Sequence, residues 1–189
     1  MLEPSDDELM IAAGTGDRAA FGRLVARHFR RAASVAGRIV GNRSDAEEIV
    51  QEAFLRAWLK APTWHARDEG ANSASLSTWL GRVIVNLCLD RKRRIAPLPL
   101  ETADDVADPA PDGFSATAQA ESSRKVAAAV AALPERQRAA LVLCHYEGFS
   151  NIEAATMLDI SVGALESLLV RARRTLRETL ADLAPEGRT

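Results

Sequence analysis

"FSNIEAATMLDISVGALESLLVRARRTLRETL", residues 149–180, decides the fold class. Ser150 and Glu153 match the S-x-x-E capping box, in which hydroxyl and carboxylate satisfy orphan backbone donors at a helix start. Asp159-Ile160-Ser161 predicts a turn, and Ser161 can cap a second helix whose Leu165, Leu169, Ala172, Leu176 and Leu180 share one side. A short helix, a tight turn and a longer helix make a helix-turn-helix, whose second member normally lies in the major groove of DNA. Any helical hairpin can imitate that pattern. The longer helix is also unusual for a groove reader. Arg171, Arg173, Arg174 and Arg177 crowd its far half, while its opening turns carry Ala164, Glu166 and Leu168.

Upstream, "RKVAAAVAALPERQRAALVLCHYEG" (124–148) adds two further helices, with Pro134 at an early helical position and Glu147-Gly148-Phe149 as a turn. Before it the composition changes. From Pro97 to Ser123 there is no Lys or Arg, while Glu101, Asp104, Asp105, Asp108, Asp112 and Glu121 are acidic and Pro97, Pro99, Pro109 and Pro111 interrupt the chain. Such a stretch buries too little apolar surface to offset its ordering entropy, so a flexible acidic linker is expected over 96–123. Helical halves at 1–95 and 124–189 flank it, and neither shows the alternation of a strand. The expected fold is all-α: two small helical domains on a flexible linker, the second containing the helix-turn-helix.

A hydrophobic content of 47 % with only 5 % aromatic residues implies cores of small and aliphatic side chains. The formal net charge of −2 argues against adhesion to nucleic acid by bulk charge. Cys88 and Cys144 stand in no ligand-like spacing and read as packed thiols of a reduced, cytosolic chain, an interdomain redox switch being the alternative. "MLEPSDDELM" has no basic leader region, and no apolar run reaches the roughly 18 residues that span a bilayer. A cytoplasmic protein without membrane insertion is expected. There is no metal-ligand spacing, phosphate loop or nucleophile–base pair, so no metal, cofactor or enzymatic activity is expected.

The first half repeats the helix-start chemistry at Ser5–Glu8 and Ser44–Glu47, and Asp17 is a plausible cap for "RAAFGRLVARHFRRAASVAGRIV". In that helix Phe21, Leu24, Val25, His28, Phe29, Ala32, Val35 and Ile39 keep one face apolar, which makes His28 a packed histidine. In "SDAEEIVQEAFLRAWLK", Ala46, Ile49, Val50, Ala53, Phe54 and Ala57 form the inward stripe. Glu48, Gln51, Glu52, Leu55 and Leu59 gather on a different side. Leucines among carboxylates suit a protein-docking surface; packing of Leu55 and Leu59 under the following loop is the other reading. "LSTWLGRVIVNLCLDRKRR" follows, with Trp79, Leu80, Val83, Ile84 and Leu87 apolar and Arg82 and Asn86 toward the edge. It ends in Arg91, Lys92, Arg93 and Arg94. Cations are favoured at a helix C-terminus by the macrodipole, yet this is also the densest positive charge in the chain and suits phosphate contact.

Taken together, "GDRAAFGRLV…DAEEIVQEAFLRAW…STWLGRVIVNLCLDRKRR", an acidic linker and "LPERQRAALVLCHYEGFSNIEAATMLDISVGALESLLVRARRTLRETL" closely resemble a bacterial sigma factor of the extracytoplasmic-function (ECF) group. The resemblance implies a non-enzymatic initiation factor that binds core RNA polymerase through its β′ clamp helices and β subunit, directs it to promoter DNA, and is held inactive by a cognate anti-sigma factor. It places Asp45, Glu48, Gln51, Glu52 and Leu55 in the segment that grips the β′ clamp helices. Arg82, Asn86, Arg91, Lys92, Arg93 and Arg94 fall in the helix that approaches the −10 element. The loop around Trp64, His65 and Arg67 corresponds to one that holds an extruded non-template base, with Trp64 the candidate.

For the −35 element the same resemblance points to Ser161, Gly163, Ala164, Glu166, Ser167, Arg171 and Arg174. Here the chain departs from the pattern. Many members have Gly-Thr-Val-Lys-Ser-Arg where this one has Gly163-Ala164-Leu165-Glu166-Ser167-Leu168, so an altered −35 preference is expected. Glu166 can accept from cytosine N4, and the small residues permit close backbone approach or contact with a thymine methyl. A sigma-mimicking module that binds an anti-sigma factor without reading promoters is the alternative. The basic run and Asn86, of no use to a mimic, favour the working factor.

Overall fold

A computed structural model describes residues 3–65, 75–95 and 116–181, and every regular element among them is helical. Helices α1 (Asp6–Gly14), α2 (Arg18–Val40), α3 (Arg43–Lys60) and α4 (Leu76–Ile95) form the first half, with a 3-10 turn at Ala61–Thr63. The second half comprises α5 (Ala116–Ala131), α6 (Glu135–Leu141) continuing into a π-helical turn (Val142–Tyr146), α7 (Asn151–Leu158) and α8 (Val162–Thr179). Most of the expected linker, 96–115, lies outside the described residues. Its C-terminal end is helical from Ala116, because an alanine-rich segment with a Glu121–Lys125 pair at 3.0 Å favours helix despite its polarity.

The start signals operate where local chemistry allows. Ser5 with Glu8 and Ser150 with Glu153 form complete capping boxes, and Asp17 and Ser161 cap α2 and α8. Ser44 does not cap α3. Asn42 does, accepting from the Asp45 backbone N–H at 2.8 Å, so the helix starts earlier and Ser44 sits inside it. The α3 stripe is buried as its periodicity requires, from Ala46 to Ala57. The stripe of α2 is buried at Leu24, Ala32, Val35 and Ile39 but fails at Phe29, which is 50 % exposed. His28 is packed, its Nε2 lying 2.8 Å from Asp6 Oδ2 on α1.

One apolar cluster runs through both halves, from Ala32, Ile39, Phe54, Ile84 and Cys88 to Leu143, Phe149, Met157, Leu165 and Leu169. A smaller one joins α1, α2 and the start of α4 around Met10 and Leu24; another joins α5 to α8 through Val130, Leu133 and Ala172. Two glycines permit close approaches. A Cβ on Gly14 would meet the Ala61 carbonyl oxygen at 2.5 Å, and one on Gly81 would meet the Met157 sulfur at 2.7 Å. No helix among the described residues is long and apolar enough to cross a membrane.

Candidate nucleic-acid and protein interfaces

Helix α3 presents its carboxylate–leucine face to solvent. Leu55 is 53 % and Leu59 68 % exposed, so neither packs under a described neighbour. Glu48 and Gln51 are exposed beside them, and Glu52 is half-buried and bonded to Arg56 one turn on at 2.8 Å. Asp45 is engaged within the protein. Its Oδ1 accepts from Arg91 Nε at 2.8 Å and Nη2 at 2.5 Å, and its Oδ2 accepts from Asn42 at 2.8 Å. The Arg91 hydrogen bond, above all, holds the Asp45 carboxyl below its ordinary pKa. Arg91 also reaches Glu48 at 2.6 Å. Two side chains assigned by sequence to different surfaces thus bind each other and tie α3 to the end of α4.

Around that tie the remaining cations of α4 face outward to different degrees. Lys92 is half-buried, Arg93 is exposed and pairs with Asp90, and the Arg94 side chain lies outside the described residues. Arg82 and Asn86 are exposed along the same helix, but Arg82 Nη2 is bound to Asp159 Oδ1 at 3.0 Å. Trp64 donates its indole N–H to Asp7 at 2.9 Å and meets Trp79 edge-on at 6.1 Å. Its polar handle is therefore engaged within the protein. Arg67, in the same loop, lies outside the described residues.

The helix-turn-helix is formed by α7, a turn at Asp159–Ser161 and α8, with Asp159 in the left-handed region at φ 55°. Leu165, Leu169 and Ala172 anchor α8 inward. Outward stand Ser161, Gly163, Ala164, Glu166, Ser167, Arg171 and Arg174, all exposed. Ser167 Oγ donates to the Gly163 carbonyl at 2.9 Å and Arg171 Nε to the Ser167 carbonyl at 3.1 Å. These bonds lie within the helix and leave the rest of the guanidinium outward. A Cβ on Gly163 would meet nothing within 4 Å, so packing does not demand glycine there.

Comparison with known proteins places this geometry. Residues 24–96 match the family model of sigma-70 region 2, and residues 123–176 match that of sigma-70 region 4. Over 181 residues the chain is 37 % identical to the ECF RNA polymerase sigma factor SigM of Mycobacterium tuberculosis, covering 96 % of this chain and 87 % of that one. The chain belongs to the ECF sigma factors. It is also 31 % identical over 179 residues to the ECF sigma factor SigW of Bacillus subtilis, covering 89 % and 92 % of the two chains. Its fold matches that of CnrH, solved in complex with the cytosolic domain of CnrY, with a TM-score of 0.66, 29 % identity and coverage of 95 % and 99 %.

In this sigma factor the region 2 match takes in most of α2 with α3 and α4, the region 4 match takes in the second part of α5 through most of α8, and sequence reasoning missed how the two halves meet. Arg31, Ser34 and Arg38 lie on one face of α2. Arg31 stacks on Phe149 at 3.7 Å and pairs with Glu147 at 3.4 Å, Ser34 donates to Glu147 at 2.6 Å, and Arg38 stacks on Tyr146 at 4.2 Å. Arg138 of α6, 6 % exposed, donates to the Ile39 carbonyl at 2.8 Å and the Leu133 carbonyl at 2.9 Å. The sequence signal was spacing alone: Arg31, Ser34 and Arg38 recur at helical periodicity on one face of α2.

Proposed function

We propose that this ECF sigma factor docks on the β′ clamp helices of core RNA polymerase through Glu48, Gln51, Glu52 and Leu55, and on the β subunit through region 4. The observation carrying this reading is the pair of exposed leucines on α3, flanked by carboxylates. Apolar side chains ringed by charge suit a partner surface that is apolar at its centre and basic at its rim. Asp45 and Arg91 set the direction of α4 relative to that surface. Arg82, Asn86, Lys92 and Arg93 then face the −10 element, with Arg94 continuing the basic run. Trp64 contributes a ring wall to the pocket for an extruded base, its N–H being bound to Asp7.

Region 4 reads the −35 element with a changed code. Gly163 and Ala164 let the backbone approach a groove closely, and Ser161 orients the helix start. Glu166 accepts from a cytosine amino group, while Ser167, Arg171 and Arg174 bind phosphates or base edges. Net acidity limits binding by sigma alone, so promoters are engaged as holoenzyme. The chain acts without enzymatic chemistry of its own, in the cytoplasm where polymerase resides. CnrH, held in its solved structure by the cytosolic domain of CnrY, supports control of this chain by a cognate anti-sigma factor.

In-vitro transcription with purified core polymerase on a promoter library tests the reading; transcripts from a shared pair of elements are expected, and none would mark a mimic. Replacing Glu48, Gln51 and Leu55 together with Ala should abolish core binding while preserving helicity. Retained binding would refute the docking face. Replacing Arg171 and Arg174 should weaken −35-dependent transcription, and no change would refute α8 as the reader.

A further inference from the structure

We propose that Arg173, His145 and Asn151 form a phosphate-binding site of region 4, which grips the DNA backbone at the edge of the −35 element. Three segments build it. The π turn supplies His145, the first residue of α7 supplies Asn151, and α8 supplies Arg173. All three are exposed, and they line one cavity of about 500 Å³ floored by Phe149 and Leu169.

Each donor is aimed by a neighbour. Arg173 Nη2 lies 3.0 Å from His145 Nε2, and a guanidinium only donates, so the imidazole nitrogen accepts. That bond holds the arginine over the cavity and leaves its other N–H groups for a ligand. Cys144 Sγ donates to Asn151 Oδ1 at 3.8 Å, which leaves the Asn151 amide nitrogen to donate in turn. Among the described residues Arg173 has no carboxylate partner, whereas Arg82, Arg91 and Arg93 each have one.

The place of the cavity in the fold selects the ligand. In a helix-turn-helix the first helix crosses the DNA backbone beside the groove that the second helix enters. The cavity lies between the start of α7 and one row of α8, formed by Glu166, Val170 and Arg173. Val170 is exposed, so the row faces outward. Seven residues separate Glu166 from Arg173, about 10 Å along the helix axis, which lets the carboxylate face base edges while the guanidinium reaches the backbone. The opening turns of α8 carry no cation, and a site on its flank supplies the backbone grip that they lack.

The site rests on the reading of α8 as the −35 helix, and its test separates the two. Holoenzyme binding to a promoter selected from the library is measured over a range of salt, with the −35 element intact or singly substituted. Arg173→Ala should weaken binding by roughly 5- to 10-fold and lower the slope of log affinity against log salt by about 0.9. Its preference among the substituted elements should stay within about twofold of wild type. His145→Ala, which only frees the arginine, should cost about threefold and leave the slope unchanged. Asn151→Asp suits a helix start, so it should keep Tm, yet it sets a carboxylate against the phosphate and should cost at least ~10-fold.

A neutral methylphosphonate, moved position by position along the flank of the element, should weaken wild-type binding at one position where Arg173→Ala adds no further loss. Unchanged affinity and slope in Arg173→Ala, or losses that add at every methylphosphonate position, would overturn the site. Weaker binding of core polymerase by Arg173→Ala would assign the cluster to a protein partner and overturn it equally. A wild-type holoenzyme with no −35 preference refutes α8 as the reader and the site with it. A holoenzyme that discriminates while Arg173→Ala changes nothing refutes this site alone.

Discussion

Arg138 offers a direct measure of how tightly the two halves are joined. It is buried, and burial lowers its guanidinium pKa from the ordinary value. Its partners are the backbone oxygens of Ile39 and Leu133, at 2.8 and 2.9 Å. Ile39 lies in the last turn of α2, where carbonyls lack intrahelical donors and the helix dipole favours a cation. Arg138→Ala leaves both oxygens without their charged donor. Hydrogen bonds to a charged group contribute about 1.5–3 kcal/mol each, and relief of the buried charge offsets part of the loss. The net cost should be about 3 kcal/mol, which for a chain of this size lowers Tm by roughly 6–12 °C. Arg138→Met keeps the apolar stem and should recover about 1 kcal/mol of this. Denaturant titration followed by circular dichroism, with a thermal melt, reads both variants. An Arg138→Ala chain within about 0.5 kcal/mol of wild type would refute the reasoning.

The tie between Asp45 and Arg91 predicts that Asp45→Ala and Arg91→Ala couple in a double-mutant cycle of core binding; additive effects would mean that the two act separately. Asp45 and Glu153 both have lowered pKa values, from the Arg91 and Ser150 hydrogen bonds respectively. The stability they contribute is complete above the unfolded carboxylate pKa of about 4 and is lost as pH falls through the lower folded values. An acid titration of helicity should therefore shift to higher pH in Asp45→Asn. Burial pushes the Cys88 thiol up to about 12, whereas Cys144 is partly exposed. Native protein at pH 8 should expose one fast-reacting thiol to a disulfide reagent, lost in Cys144→Ser, and a fast Cys88 would contradict the packing. Trp64→Phe removes the donor to Asp7 and should weaken the tie between α1 and the end of α3, seen as a lower Tm in a thermal melt.

Much of this was legible along the chain, for physical reasons. The stripes of α3 and α8 are set by 3.6-residue periodicity, and burial follows them closely. Capping at Ser5, Asp17, Ser150 and Ser161 is chemistry within three residues, which a sequence displays in full. Errors arose where neighbours compete. Asn42 pre-empted Ser44 because the helix could begin earlier, and Phe29, expected in the α2 stripe, stays half exposed.

By itself, then, the sequence determined the helical class, the helix-turn-helix and the resemblance to the ECF sigma factors. The tertiary structure alone decided which charges meet. Asp45 found Arg91 46 residues away, and Arg31 and Ser34 found Glu147 more than a hundred residues away. Such pairings depend on how helices cross, and no local pattern encodes a crossing. The same holds for Gly81, an unremarkable glycine in a helix until Met157 arrives against it.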